Sequence, residues 1–211
     1  SMLPGYGEGV KYTQESGDLF FGAALLSSYS TYDAGRLGGS GNSNYALEVA
    51  ASYVMDGTTF FLGASQEDSD GTTDGSTSAI NAYVTYETGA WIFAGELNIG
   101  NSETGAYDIA DLGLAFGDDA DALSGLLMAN YAYSDVASLT GRISFESFEG
   151  NDALSSEASL MKLTLAHGYA FTDNLFLVTA VSFAESTIEQ TGFADQENDS
   201  VEGAVELIFA F

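Results

Sequence analysis

The stretch that decides the fold is 200–211, which reads SVEGAVELIFAF and alternates between two faces. One face carries Val201, Gly203, Val205, Leu207, Phe209 and Phe211, and the other carries Ser200, Glu202, Ala204, Glu206, Ile208 and Ala210. A strand with one apolar face and carboxylates on the other suits a wall between lipid and water. A soluble β-sandwich gives the same period, so the rest of the chain has to distinguish the two.

Composition favours a β-rich chain that does not span a membrane with helices. Of 211 residues 45% are hydrophobic, yet the longest apolar runs, such as 19–26, are strand-sized and far below the roughly 18 residues of a spanning helix. There are 25 glycines, 12 tyrosines and one proline, which is typical of strands separated by turns. The chain has no cysteine, so neither disulfides nor thiol chemistry contribute.

The charge balance is strongly acidic. There are 31 Asp and Glu against 4 Lys and Arg, which gives a net charge of -27. Nucleic-acid binding needs a cationic face and is therefore excluded. The negative charge also disfavours direct attraction to anionic lipid headgroups, unless divalent cations bridge the acids to the headgroups. Salt would screen the repulsion among the acids.

Segments of period two recur along the whole chain. They predict eleven strands, at 7–14, 18–31, 43–55, 58–67, 78–87, 90–100, 122–134, 137–149, 158–171, 175–188 and 199–211. Short connections (15–17, 56–57, 88–89, 135–136 and 172–174) alternate with long ones (33–42, 68–77, 101–121, 150–157 and 189–198). Short turns at one end and long loops at the other indicate a barrel of the bacterial outer membrane.

Aromatic residues cluster beside the short turns. Such rings favour the headgroup level, so they predict one membrane interface. The residues assigned to it are Tyr12, Tyr53, Tyr86, Trp91, Tyr133, Tyr169, Phe171, Phe209 and Phe211. A sandwich has no physical reason to collect aromatics at one end of its strands.

Charged residues share a strand face with small polar residues and never with branched or aromatic ones. Facing a charge to lipid at mid-depth costs about 2–4 kcal/mol for Arg or Lys, so the charged face should line the lumen. The predicted lumen and selectivity residues are Lys11, Glu48, Glu96, Arg142, Glu146, Lys162, Glu202 and Glu206. They form either a selecting constriction or structural ion pairs that fill a narrow interior. Lys11 would meet Glu206 if the ends of the sheet close.

Eleven strands is an odd number, whereas a closed antiparallel barrel of one chain normally has an even number. One explanation is a further strand within 101–121, where Ile109, Leu112, Leu114 and Phe116 are apolar. The other explanation is that strands from outside this chain complete the barrel. The chain would then be the C-terminal portion of a longer barrel, or pair its edges with another copy. The fold class expected is all-β: one antiparallel up-and-down transmembrane β-barrel domain over 1–211, with about 11–12 strands.

Three stretches resemble bacterial outer-membrane porins, above all the OmpL-like β-barrel porins. They are 6–13 (YGEGVKYT), 129–135 (ANYAYSD) with LTGR at 139–142, and 169–174 (YAFTDN). The terminal Phe211 is similar to the C-terminal aromatic by which the barrel assembly machinery recognises such proteins. The resemblance implies passive solute diffusion. Such porins are usually longer, which favours the interpretation as part of a larger barrel.

Other chemistry is weakly indicated. Six acids in the long loops offer oxygen ligands for Ca²⁺ or a bridge to lipopolysaccharide: Asp68, Asp70, Asp74, Asp118, Asp119 and Asp121. Their spacing does not match a calcium-binding loop, which favours the interpretation as solvated charge. The single histidine, His167, lies near a short turn on the lipid-side register, and the loop acids are at the opposite end. The sequence therefore predicts no enzyme and no cofactor.

The function predicted from these features is passive diffusion of small hydrophilic solutes, with preference for cations. A plugged barrel that serves as a structural or adhesive surface protein is the alternative, because Phe20, Leu26, Leu126 and Met128 are bulky and inward. A soluble acidic β-sandwich from a salt-loving organism is the third hypothesis. Outer-membrane lipid and other copies of the chain are the remaining expected partners.

Overall fold

The computed structural model describes residues 9–27, 45–69, 75–102, 108–109, 114–115, 119–150 and 156–210. Every regular element in these ranges is a β-strand. In chain order they are β1 (Gly9–Ser16), β2 (Leu19–Ser27), β3 (Tyr45–Met55), β4 (Thr58–Ser69), β5 (Gly75–Thr88), β6 (Trp91–Ser102), β7 (Asp108–Ile109), β8 (Leu114–Ala115), β9 (Ala120–Ser134), β10 (Ala137–Gly150), β11 (Glu157–Thr172), β12 (Leu175–Glu189) and β13 (Gln196–Phe209). Within the described part of the chain, no helix has the length and apolarity needed to cross a membrane.

Eleven of these strands form one antiparallel sheet in the order β1-β2-β3-β4-β5-β6-β9-β10-β11-β12-β13, in which each strand pairs with the next strand of the same sheet along the chain. The eleven predicted strands correspond to them one for one, so the up-and-down topology is confirmed. The two-residue turns lie at 17–18, 56–57, 89–90, 135–136 and 173–174. At one of them Asp56 and Gly57 both have positive φ, 47° and 76°, which is the backbone that a type I′ hairpin turn requires.

The hypothesis of a hidden strand within 101–121 is wrong. β6 pairs directly with β9, from Trp91 opposite Tyr131 to Ser102 opposite Ala120. Of the apolar residues between them, Ile109 and Leu114 lie in β7 and β8, a two-residue ladder that belongs to a separate sheet; Leu112 and Phe116 lie outside the described residues. The alternation of short turns and long connections is therefore preserved.

Some predicted strand ends shift by a few residues. The first strand, expected at 7–14, lies at 9–16, because Ser16 pairs with Leu19 across a turn of two residues instead of three. The second strand is expected to reach 31; β2 ends at Ser27, and 28–44 lies outside the described residues.

The register gives the sheet two chemically different faces. On the outward face large apolar side chains are exposed, as Leu127 (66%) and Leu163 (57%) illustrate. The inward face holds most of the small and polar side chains together with some large apolar ones such as Phe20 and Met128. Its buried apolar members are mainly alanines such as Ala24, Ala46 and Ala184. The other sheet among the described strands is the two-residue ladder of β7 and β8, which is far too small to cover the outward face. The soluble-sandwich hypothesis is therefore wrong.

The sheet has two edges, β1 and β13, and each pairs with one neighbour only among the described strands. Every residue of both strands is exposed. Since eleven strands alternate in direction, the two edges run the same way. The described pairings do not include β1 with β13, so the contact of Lys11 with Glu206, which requires the sheet to close, stays a prediction.

Candidate functional site

The inward face of the sheet is the candidate functional site, because it collects all eight predicted lumen residues. Cross-strand partners share a face, so the register can be followed from strand to strand. Lys11 and Glu48 both pair with Ala24, Glu96 pairs with Leu126, and Ser144 connects Leu126 to Lys162. The same ladders of paired strands put the remaining four residues on this face; they are Arg142, Glu146, Glu202 and Glu206.

Two of the predicted lumen residues form an ion pair on this face, a pairing that the sequence pattern does not specify. The Lys162 Nζ lies 2.7 Å from Glu202 Oε2, reaching from β11 across β12 to β13. The small side chains of Ser182 and Ala184 on β12, both buried, leave the lysine room to cross. The two charged side chains are 28% and 61% exposed, so solvent screens the pair and its contribution to stability is small.

The other two cations of the inward face, Arg142 and Lys11, are not paired with a described carboxylate in the way that Lys162 is. Arg142 is exposed between Met128 of β9 and Thr164 of β11, and Lys11 is exposed on the edge strand β1. Neither forms a salt bridge with a carboxylate of the described residues. Both positive charges therefore face the interior without a paired acid from that part of the chain.

A carboxylate–amide cluster, not anticipated as a unit, lies on β5 and β6. The Asn81 Nδ2 donates to Glu96 Oε1 at 2.7 Å and to Asn98 Oδ1 at 2.6 Å. The Asn98 Nδ2 donates to the same Glu96 oxygen at 3.2 Å. Two amides thus hold one carboxylate in a fixed orientation on the inward face.

Two aromatic rings extend this cluster toward β4. Phe61 and Tyr83 stack with centroids 4.7 Å apart and planes 10° apart, and Tyr83 is the direct cross-strand partner of Glu96. The sequence pattern predicts no inward function for either ring, since Phe61 belongs to the aromatics near a short turn and Tyr83 follows on the next strand. Strand parity is the signal that could have found them: Phe60 faces outward, so Phe61 faces inward.

The aromatics assigned to the membrane interface lie on the outward face or at the turns. Trp91 stacks on both Phe93 and Tyr131, with centroids 5.6 and 4.5 Å away. The exposed members among the described residues are Tyr12, Tyr53, Tyr86, Trp91, Tyr133, Tyr169, Phe171 and Phe209. Phe211 lies outside the described residues. Their role as an interface belt stays a prediction.

The single histidine lies on the outward face near the turn end. Its Nε2 is 2.6 Å from the Tyr133 hydroxyl, and the two rings stack with centroids 6.0 Å apart. Its cross-strand partners are Leu139 of β10 and Thr179 of β12. His167 is thus held by a tyrosine on the outward face, and no described carboxylate lies opposite it on the neighbouring strands.

The acidic loop residues are only partly described. Asp70, Asp74 and Asp118 lie outside the described residues, and the side chain of Asp68 does too. Of the others, Asp119 is exposed, and Asp121 Oδ1 accepts a hydrogen bond of 2.8 Å from Asn101 Nδ2. No group of three or more His, Asp or Glu positioned to hold a metal ion occurs in the described ranges. Calcium binding by these loops stays a prediction.

The fold and the two-faced sheet define a class, the β-barrels of the bacterial outer membrane, and comparisons agree with it. A family model described as "Putative beta-barrel porin-2, OmpL-like" matches residues 1–211. The chain therefore belongs to the OmpL-like β-barrel porin family and to the bacterial outer membrane. No curated protein sequence matches the chain significantly.

Solved structures give the same fold. The anion-selective porin of Comamonas acidovorans is 16% identical with a TM-score of 0.64, covering 94% of this chain and 58% of its own. OmpT, an outer membrane protein of Vibrio cholerae, is 14% identical with a TM-score of 0.62, covering 94% and 63%. A refined porin structure is 14% identical with a TM-score of 0.63, covering 96% and 62%. The chain thus spans less than two thirds of the length of each of these porins.

Proposed function

We propose that this protein forms a channel for passive diffusion of small hydrophilic solutes across the outer membrane, with preference for cations. The observation that carries the proposal is the polar inward face, which runs across all eleven strands opposite an apolar outward one. Small residues occupy much of it: Gly22, Ala50 and Gly63 are successive cross-strand partners. The rings of Phe20 and Phe61 lie beside two of them, Gly22 and Gly63, so the polar side chains of this face, and not open space at the glycines, support passage of a hydrophilic solute.

Charge supports the cation preference. The inward face places the five acids of the predicted set against three cations, and one of those cations is paired to Glu202. A lumen with a carboxylate excess raises the local concentration of cations. The acidic loops, within a net charge of -27, act in the same direction.

Reversal potentials in planar bilayers under a KCl gradient test this function. The expected result is a potential that favours K⁺ over Cl⁻, and the substitution Glu48→Gln should reduce that preference. Absence of conductance would contradict the channel, whereas Cl⁻ preference would contradict only the cation selectivity.

A separate observation favours a second function, that of a plugged barrel with a structural or adhesive role. At the end of the inward face nearest the long connections, side chains are covered: Ala46 and Ala120 are 0% exposed and Ala158 is 2% exposed. Together with the inward Phe20, Leu26, Leu126 and Met128, this favours a narrow or closed interior. Liposome swelling separates the two functions, because a plugged barrel admits no sugar.

We also infer that the protein acts without catalysis and works within an assembly. One porin similar to it, OmpT of Vibrio cholerae, is described in a trimer form, which supports a homo-oligomer here. Two further partners belong to this proposal. The barrel assembly machinery recognises Phe211, and divalent ions bridge the acidic loops to lipopolysaccharide. Crosslinking in native outer membranes would test the oligomer.

A further inference from the structure

The inward face of β4, β5 and β6 brings two rings, two amides and one carboxylate together. We call this group the β4–β6 cluster; its members are Phe61, Tyr83, Asn81, Glu96 and Asn98. Register places them side by side, with Phe61 opposite Tyr83 and Tyr83 opposite Glu96. No other stacked aromatic pair among the described residues faces inward.

The rings are held in place by their surroundings. The Phe61 ring leans along its own strand over Gly63, where its Cε1 and Cζ lie 3.0 and 3.2 Å from the position a Cβ would take. A glycine at 63 therefore makes room for the ring. Tyr83, supported on one side by Phe61, remains 37% exposed and lies beside Glu96.

The hydrogen-bonding groups left over in this cluster are mainly acceptors; the donors left over are one N–H of Asn98 and the Tyr83 hydroxyl. Both amide hydrogen bonds to Glu96 end on Oε1, so its Oε2 has no hydrogen-bond partner among the described residues. The Asn81 amide nitrogen already donates twice, which leaves its Oδ1 to accept. The surface offered to a solute is thus a negative carboxylate, a carbonyl oxygen and an aromatic ring face.

We propose that the β4–β6 cluster is a binding station for small primary alkylammonium ions. The ammonium N–H groups would donate to Glu96 Oε2 and Asn81 Oδ1, and the adjacent methylene groups and the charge would lie against the Tyr83 ring. This rests on the proposed function in that the solute reaches the station through the channel. It names a substrate class more specific than cations in general.

Other ligand classes fit less well. A neutral sugar presents hydroxyls that must accept as well as donate, and a single N–H of Asn98 is the amide donor that the cluster leaves free. An anion would meet Glu96 with its charge uncompensated, since the described cations Lys11, Arg142 and Lys162 lie on other strands. Inorganic cations gain nothing from hydrophobic contact with the ring.

Calorimetric titration of the full chain in detergent with butylammonium chloride tests the proposal. Saturable binding is expected for the unmodified protein at fixed ionic strength. Tyr83→Leu should weaken it roughly fivefold by removing the ring face, and Glu96→Gln about tenfold by removing the charge while keeping the amide contacts.

Glu87→Gln is the matched control. Glu87 lies on the same face of β5 as Tyr83, and its cross-strand partner on β6 is Ile92 instead of an aromatic or amide. It removes one negative charge but no ring contact, so binding should change less than about twofold. Heat-modifiable migration on a gel verifies that each variant is folded.

The outcomes separate this proposal from the channel itself. If Glu87→Gln weakens butylammonium binding as much as Glu96→Gln does, the general negative field binds the ion and the station is wrong. Saturable glucose binding that Tyr83→Leu abolishes would overturn the assignment to alkylammonium ions. Conductance of K⁺ without saturable butylammonium binding contradicts the station alone, and binding without conductance contradicts the channel alone.

Discussion

Glycines on the outward face decide how closely neighbouring side chains pack. A Cβ at Gly125 would lie 2.7 Å from Cε1 of Phe145 and 3.0 Å from the backbone oxygen of Glu96. The ring can rotate away, but the backbone oxygen of a paired strand cannot move without disturbing the ladder. At Gly141, on the next strand of the same face, nothing lies within 4 Å of the corresponding position.

These two glycines give a matched pair of substitutions. We expect Gly125→Ala to lower the free energy of unfolding by about 1–3 kcal/mol because the methyl group is overpacked. Gly141→Ala should leave it unchanged or raise it by up to about 1 kcal/mol, since the unfolded chain loses freedom. Urea unfolding in lipid vesicles measures both, and equal effects of the two substitutions would refute the role of packing at Gly125.

At the scale of an element, β11 shows how a strand separates lipid from lumen. Its burial alternates between exposed outward side chains and partly buried inward ones over most of its 16 residues. Met161, Leu163 and Leu165 face outward, whereas Lys162 and Thr164 face inward. The one charge in the middle of the strand is on the inward side.

Adjacent substitutions on β11 test this separation. Leu163→Lys places a charge against hydrocarbon at mid-depth and should cost about 2–4 kcal/mol of folding free energy in a bilayer. Thr164→Lys, one residue further along the same strand, should cost less than about 1 kcal/mol because the side chain enters the polar interior. The folded fraction in vesicles, read from heat-modifiable migration, distinguishes them; similar losses would mean that both faces meet the same medium.

At the scale of the molecule, repulsion among acids dominates the electrostatics. A net charge of -27 on 211 residues opposes the compact state, and the range of this repulsion shrinks as salt is added. The Debye length falls from about 30 Å at 0.01 M to about 8 Å at 0.15 M ionic strength. Many of these acids are inward or lie near the long connections, so screening should matter more here than in a neutral barrel.

We therefore expect the thermal unfolding midpoint to rise by several degrees between about 0.01 M and 0.15 M NaCl in a zwitterionic detergent. CaCl₂ at the same ionic strength should add nothing further if the loop acids are solvated charge. A higher midpoint with calcium would instead indicate a specific site, and the substitution Asp119→Asn would then locate it. A midpoint independent of NaCl would contradict the destabilising role of acid repulsion.

Much of this architecture is predictable from period and parity. Because a strand has a fixed two-residue repeat, alternation such as that of 200–211 assigns every side chain to one of two faces. The positions of the short turns indicate how many strands there are. The eight lumen residues are assigned this way without any contact information. Phe61 illustrates the limit: its place in the sequence groups it with the aromatics near a turn, although its parity directs it inward.

The sequence by itself determined the eleven strands, their order, the apolar outward face and the charged inward one, because these depend on local periodicity. Tertiary structure alone decided which inward groups meet. Asn81 and Glu96 are 15 residues apart in sequence and 2.7 Å apart in space, and Lys162 reaches Glu202 across an intervening strand. Such contacts depend on the exact register between strands and on side-chain length, and neither is encoded in the pattern of any single strand.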